Sequence, residues 1–211
     1  MRPEQGETPR DPAGEPDQHT RLGLPEHSDH LERLEHLEAR AAREGSIPRT
    51  EALELFDALP PVPVAEMLGA WKGSGLSTGH DWDGLLETFG WHGKVFAGSE
   101  AAHPLVFEDG KGLFSVDPAL VPMGAVTRFP GAAHTPMLGR LGRGSLRLLR
   151  TTKPRARLRM VEYRGVSTGT MSYDALPIND HFRKVDDDTL IGAMDMRGVS
   201  APFMFVLRRE V

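Results

Sequence analysis

The sequence predicts a mainly β protein, an antiparallel β-barrel preceded by a short helical N-terminal extension. Three observations predict it. After residue 155, apolar segments of strand length recur at even spacing, separated by turn residues. Upstream, Leu105-Val106-Phe107 and Leu113-Phe114-Ser115-Val116 flank Glu108-Asp109-Gly110-Lys111-Gly112, a hairpin signal. Between Ser28 and Leu59, in contrast, apolar residues recur at helical spacing.

Residues 1–26 form an acidic tail of Pro, Gly, Glu, Asp and Gln with scarcely any apolar side chain. Disorder is expected there, because the segment cannot bury enough surface to offset its ordering entropy. Residues 27–60 read as the helical extension. Ser28 suits an N-cap, Leu31, Leu34 and Leu37 follow at three-residue spacing, and Gly45 and Pro48 end the helix. A second helix fits Thr50 to Leu59, with Leu53 and Phe56 on one face and Pro60-Pro61 as terminator. Both apolar stripes are narrow, so these helices are expected to pack on the body.

Residues 61–125 supply the first part of the barrel and 126–154 a connection rich in Pro, Gly and Arg. Residues 155–211 then form a meander that completes the barrel. Strands are expected at 155–164, 166–174, 178–185, 189–196 and 203–209, with turns at Arg164-Gly165, Ala175-Leu176-Pro177, Asp186-Asp187-Asp188 and Arg197-Gly198. Closure into a barrel removes the exposed edges of such a meander.

The 211 residues include no Cys, which excludes disulfides, thiolate metal sites and a cysteine nucleophile. No apolar stretch approaches the roughly 20 residues that span a bilayer. The opening MRPEQGETPRDPAGEP lacks the apolar region of a secretory signal. A soluble, cytoplasmic protein with no membrane partner is the expectation. The formal charge of −5 is uneven: residues 1–60 carry 7 basic and 14 acidic residues, leaving the remainder slightly positive. A nearly neutral body argues against nucleic acid as the main partner. The local exception is the run from Arg140 to Arg164, where Arg155, Arg157 and Arg159 alternate with Ala156, Leu158 and Met160. Without interleaved aromatic residues that run reads as a solvated strand face.

Leu68-Gly69-Ala70-Trp71-Lys72-Gly73 carries Gly-x-Trp-x-Gly, followed by Thr78-Gly79-His80, Gly90-Trp91-His92-Gly93-Lys94 and His103-Pro104-Leu105. Together these resemble the bacterial and fungal family named for its GXWXG motif. The stretch from Tyr173-Asp174-Ala175-Leu176-Pro177 through Asn179-Asp180-His181-Phe182-Arg183-Lys184 to Asp186 resembles domain of unknown function 4334, its companion. The resemblance spans about residues 50–209, so that 61–125 is the GXWXG-motif part. It brings no catalytic assignment. A looser likeness is to the calycins, barrels that include lipocalins, fatty-acid-binding proteins and nitrobindins, many of which open with Gly-x-Trp. Gly69-x-Trp71-x-Gly73-x-Gly75 is similar to the extended form of nitrobindin-like haem proteins. Trp71 is read as a plug of the closed barrel end, with ligand contact as the other reading.

On the strand around residue 180, alternation puts Asp180, Phe182 and Lys184 on one face and His181, Arg183 and Val185 on the other. If Phe182 faces the interior, Asp180 and Lys184 form a paired polar site capable of proton transfer. An outer ion pair is the plainer reading. Asp195 interrupts the apolar Gly192-Ala193-Met194-Asp195-Met196 and faces either this pair or solvent. His80, His92, His103, His134 and His181 form no HxH or HExxH pattern, so no metal site is assigned. Haem through His181 or His103 is what the nitrobindin likeness implies; otherwise no cofactor is expected.

These residues point first to a barrel cavity that binds a small, mostly apolar molecule. Trp91, Phe107, Phe182, Met194 and Phe205 are the candidate wall, Trp71 and Asp195 further ligand contacts, and Asp180 and Lys184 the polar contacts. The second reading is an enzyme of proton-transfer type, an isomerase, cyclase or hydrolase, with Asp180 or His181 as base and Lys184 beside them. The third is a haem protein. Oligomeric state is not legible.

Overall fold

A computed structural model of the chain describes residues 26–122, 124 and 144–210. The acidic tail up to residue 25 and most of the 126–154 connection lie outside them. Helix α1 (Glu26–Glu44) ends at Gly45, whose φ of +88° is a left-handed conformation, and α2 (Arg49–Ala58) and α3 (Val64–Met67) follow. The strands are β1 (Gly69–Gly75), β2 (Trp91–Gly98), β3 (Ala101–Asp109), β4 (Gly112–Val116), β5 (Arg150–Thr151), β6 (Ala156–Tyr163), β7 (Val166–Tyr173), β8 (Ile178–Lys184), β9 (Thr189–Met196) and β10 (Phe203–Arg209). A short α4 (Leu85–Phe89) lies between β1 and β2, bounded by the left-handed glycines Gly84 and Gly90. Strands β6 to β10 begin and end within one residue of the ranges the turn pattern predicts.

Eight of these strands close an antiparallel barrel in the order β1-β10-β9-β8-β7-β6-β3-β2, with β2 returning to β1. Strands β4 and β5 extend outward from β3. The seam between β3 and β6 is short. There Ala102 pairs with Ala156, the Arg155 N–H donates to the Ala102 carbonyl (3.0 Å), and the Leu158 N–H donates to the Ser99 carbonyl (2.8 Å).

Two apolar cores result. Inside the barrel, Trp71, Phe96, Leu158, Phe182, Leu190 and Leu207 belong to one buried cluster. Outside it, Leu34 and Leu37 of α1 and Leu55 and Phe56 of α2 pack with Ile191, Ala193, Met204 and Val206 of β9 and β10. The narrow helical stripes thus find a sheet face that is itself apolar, and β9 is buried on both faces.

The Gly-x-Trp-x-Gly segment is β1. Trp71 is fully buried, and its indole N–H donates to the Met67 carbonyl (2.7 Å). The Arg209 guanidinium lies 4.1 Å from the ring centroid and is held by the Leu68 and Glu66 carbonyls (2.8 and 2.7 Å). Trp71 therefore closes one end of the barrel, capped by a cation. Gly73 has a separate role: any Cβ there would overlap the six-membered ring of Trp91, so its lack of a side chain gives Trp91 its seat. Gly192 on β9 does the same for the ring of Phe205.

The basic run is largely neutralised where it is described. Arg147 pairs with Asp109, Arg155 with Asp117, Arg157 with Asp174 and Arg159 with Glu100. No described helix is long and apolar enough to cross a membrane.

Candidate functional site

At the end of the barrel away from Trp71 lies a cavity of about 290 Å³. Along β10 the geometry is plain: Phe203 and Phe205 line the cavity at the start of the strand, whereas Arg209 caps Trp71 at its finish. The rest of the described wall is apolar apart from Ser145 and a few polar groups at the floor, with Leu85, Leu86 and Phe89 of α4 contributing one side. Aromatic edges meet across it. Trp91 and Phe205 stand perpendicular at 6.1 Å, and Phe203 stacks on Phe205 at 6.3 Å.

The polar groups are Asp180, Lys94 and Tyr173. Lys94 Nζ lies 2.8 Å from Asp180 Oδ2, with both side chains almost fully buried (4% and 1% exposed). Lys94 also donates to the Pro104 carbonyl (3.2 Å), and its ammonium sits 5.0–5.9 Å from the rings of Phe205, Trp91 and Tyr173. The half-buried Tyr173 directs its hydroxyl toward Asp180 Oδ2 at 3.5 Å, a long contact. Burial pushes the Asp180 carboxyl above its ordinary range, against the opposing effect of Lys94 and Tyr173. Burial, aided by the adjacent carboxylate, pushes the Tyr173 phenol well up. Asp180 Oδ1 is buried and has no hydrogen-bond partner among the described residues.

Lys94 faces inward because β2 is bulged. From an inward Trp91, strict alternation would turn residue 94 outward. The pairing of β2 with β3 shifts register between Trp91 and Gly93 and again between Gly93 and Val95. Gly93, at φ +156°, lies so close to the Trp71 carbonyl that any Cβ would overlap it. The shift resets the alternation, so that Lys94 and Phe96 both turn in. Tyr173, at the end of β7, joins by cross-strand adjacency to β8.

The residues expected from sequence fall in several places. Trp91, Phe107, Met194 and Phe205 line the cavity, and Asp180 stands at its floor. Phe182, the next inward residue on β8, lies below that floor, edge-on to Phe96 and Phe205 at 5.8 Å each. Trp71 is the end plug and not a wall residue. Three further candidate residues lie away from the cavity. Lys184 is at the end of β8, where the strand leaves the barrel, and its ammonium pairs with Glu66 and Asp187 at 2.7 Å. Asp195 is exposed, because Met194 takes the inward position on β9. His181 points outward, stacked on Tyr163 at 3.9 Å with Nδ1 3.0 Å from Thr170 Oγ1.

Two family descriptions match the chain: "GXWXG protein" over residues 54–112 and "Domain of unknown function (DUF4334)" over residues 154–209. A crystal structure of a protein from Thermomonospora curvata is 31% identical, with a TM-score of 0.62, over 87% of this chain and 99% of that one. The chain belongs to the GXWXG–DUF4334 family. No curated protein matches it. In this GXWXG–DUF4334 chain the two segments build one site between them: Trp91 and Lys94 come from the first, Tyr173 and Asp180 from the second.

Neither His181 nor His103, the two histidines to which the haem likeness points, is among the described residues that line the cavity of this family member. Among the described residues no cluster of His, Asp or Glu is suited to a metal ion. His181 instead carries a pH prediction. Burial, with Arg183 adding and Asp195 opposing, lowers its imidazole from 6.5 to about 4. A depressed folded value means that its contribution is fully present above pH 6.5 and is lost as pH falls toward 4. Fully realised, the gap corresponds to about 3 kcal/mol. The urea midpoint should therefore fall across this window. His181→Gln should flatten that fall, leaving the smaller part due to His80 and His103, both also lowered by burial.

Proposed function

We propose that the protein binds a small, mostly apolar molecule in the barrel cavity, with its polar end at Asp180, Lys94 and Tyr173. The observation that carries this reading is a charged pair at the floor of an otherwise apolar, aromatic-lined cavity of about 290 Å³. That space equals about ten water volumes, enough for a two-ring molecule. Burying an ion pair seldom stabilises a fold more than well-packed apolar side chains would, so stability alone is a weak reason for its presence.

The test is native mass spectrometry of freshly purified protein, followed by uptake of an apolar fluorescent dye. Leu105→Trp, which fills the cavity from β3, should reduce dye uptake at least ten-fold. Undiminished uptake by a folded Leu105→Trp protein would place dye binding elsewhere and defeat the proposal.

Proton-transfer catalysis in the same cavity is the second reading. It is favoured by one observation: Asp180 engages its described neighbours through Oδ2, and Oδ1 has no partner among the described residues, as a general base requires. Recovery of a co-purified molecule unchanged after prolonged incubation with the protein speaks for the binder; recovery of an isomerised, cyclised or hydrolysed product speaks for the enzyme.

A further inference from the structure

We infer that the ligand's polar group is an uncharged hydroxyl, alcoholic or phenolic, and that the cavity discriminates against carboxylates and ammonium compounds. The inference rests on the binding reading above and deepens it.

Charge comes first. Among the described lining residues, Lys94 is the one cation and Asp180 the one anion, paired at 2.8 Å, so the described wall carries no net charge. A ligand carboxylate would bring an uncompensated negative charge into apolar space beside Asp180. The cation cannot readily serve it, because Lys94 is already engaged by Asp180, by the Pro104 carbonyl and by three aromatic rings. A ligand ammonium would meet Asp180 only by approaching Lys94, and like charges at that range repel.

Open hydrogen-bonding capacity comes second. Among the described residues no donor meets the buried acceptor Asp180 Oδ1, and leaving such an atom unmet is costly. Trp91, another lining residue, has its indole N–H buried with no acceptor among the described residues. A hydroxyl both donates and accepts, so it suits both kinds of open group. An ether or ketone serves only the N–H, and a hydrocarbon serves neither. The hydroxyl is thus the neutral group that best complements this wall.

The experiment measures the affinity of the full-length protein, at neutral pH, for five ligands of one ring shape: naphthalene, 2-naphthol, 2-methoxynaphthalene, 2-naphthoate and 2-naphthylmethylammonium. The expected result is that 2-naphthol binds at least ten-fold tighter than naphthalene and 2-methoxynaphthalene, and that both ions bind more weakly than naphthalene. If naphthalene binds and 2-naphthol gains nothing over 2-methoxynaphthalene, Asp180 Oδ1 receives no donor and the inference falls while the binding reading stands. If 2-naphthoate binds as tightly as 2-naphthol, the cavity is an anion site and the inference also falls. If none of the five binds, the binding reading fails and the inference with it. Asp180→Asn adds an independent arm: with Lys94 unpaired, 2-naphthoate should gain at least ten-fold and the advantage of 2-naphthol should shrink. Should that variant not fold, the wild-type series decides by itself.

Discussion

Lys94→Met is expected to destabilise the protein by about 3–5 kcal/mol, because it leaves the Asp180 carboxylate buried without its cation. Asp180 is 1% exposed, and among the described residues its side chain has, beyond Lys94, only the long contact from Tyr173. Asp180→Leu should cost a similar amount by stranding the ammonium. The combination Lys94→Met with Asp180→Leu removes both charges and fills similar volume with apolar atoms. It should therefore recover most of the loss, and the three urea midpoints form a double-mutant cycle with a coupling of several kcal/mol. Near-additive single losses would show that the two groups do not act as a pair. The doubly substituted protein also separates stability from function: it should fold, take up naphthalene and lose its preference for 2-naphthol.

Trp71→Ala should cost on the order of 3–5 kcal/mol, the range for truncating a fully buried large side chain. Three losses combine: the packing of a side chain with no exposure, the indole hydrogen bond to the Met67 carbonyl, and the ring that the Arg209 guanidinium covers. Trp71→Phe retains part of the packing and the cation–ring contact but not the hydrogen bond, so it should fall between the two. Ligand uptake should survive in any variant that folds, because Trp71 is not in the cavity wall. Unchanged thermal stability together with lost uptake would reverse the assignment and make Trp71 a binding residue.

Much of the barrel is written locally. On β6 to β10 the alternation of side chains and the Gly, Asp and Pro turns fix where strands start and stop, because each signal depends only on neighbours along the chain. The GXWXG segment is equally legible as a strand, though the reason for its second glycine is not. Gly73 is small because Trp91, eighteen positions later, lies on it, and no local pattern contains that fact. The short helix α4, which shapes one side of the cavity, has too few residues to show a helical period.

The candidate site was readable only in part. Asp180 shares a strand face with Phe182 and Ile178, so an inward-facing carboxylate follows if that apolar face is the inner one. Its cation does not follow. Lys184 shares the same face four residues on, but by then the strand has reached the barrel rim and the ammonium meets Glu66 and Asp187. Lys94 lies outward on strict alternation; the available clue is Gly93 immediately before it, since an isolated glycine in a strand marks a bulge. His181 could not be placed from sequence, because the face it shares with Arg183 is also buried.

The sequence by itself determined the antiparallel strands, their turns, the helical extension and the family. Only the tertiary structure decided which strand face looks inward and which cation meets Asp180. The physical reason is that side-chain alternation reports two faces without naming them. When α1 and α2 cover the outer face of β9 and β10, both faces become apolar and the pattern loses its sign. On β2 the irregularity around Gly93 resets the alternation, and it is held by the close approach of the Trp71 carbonyl on the neighbouring strand.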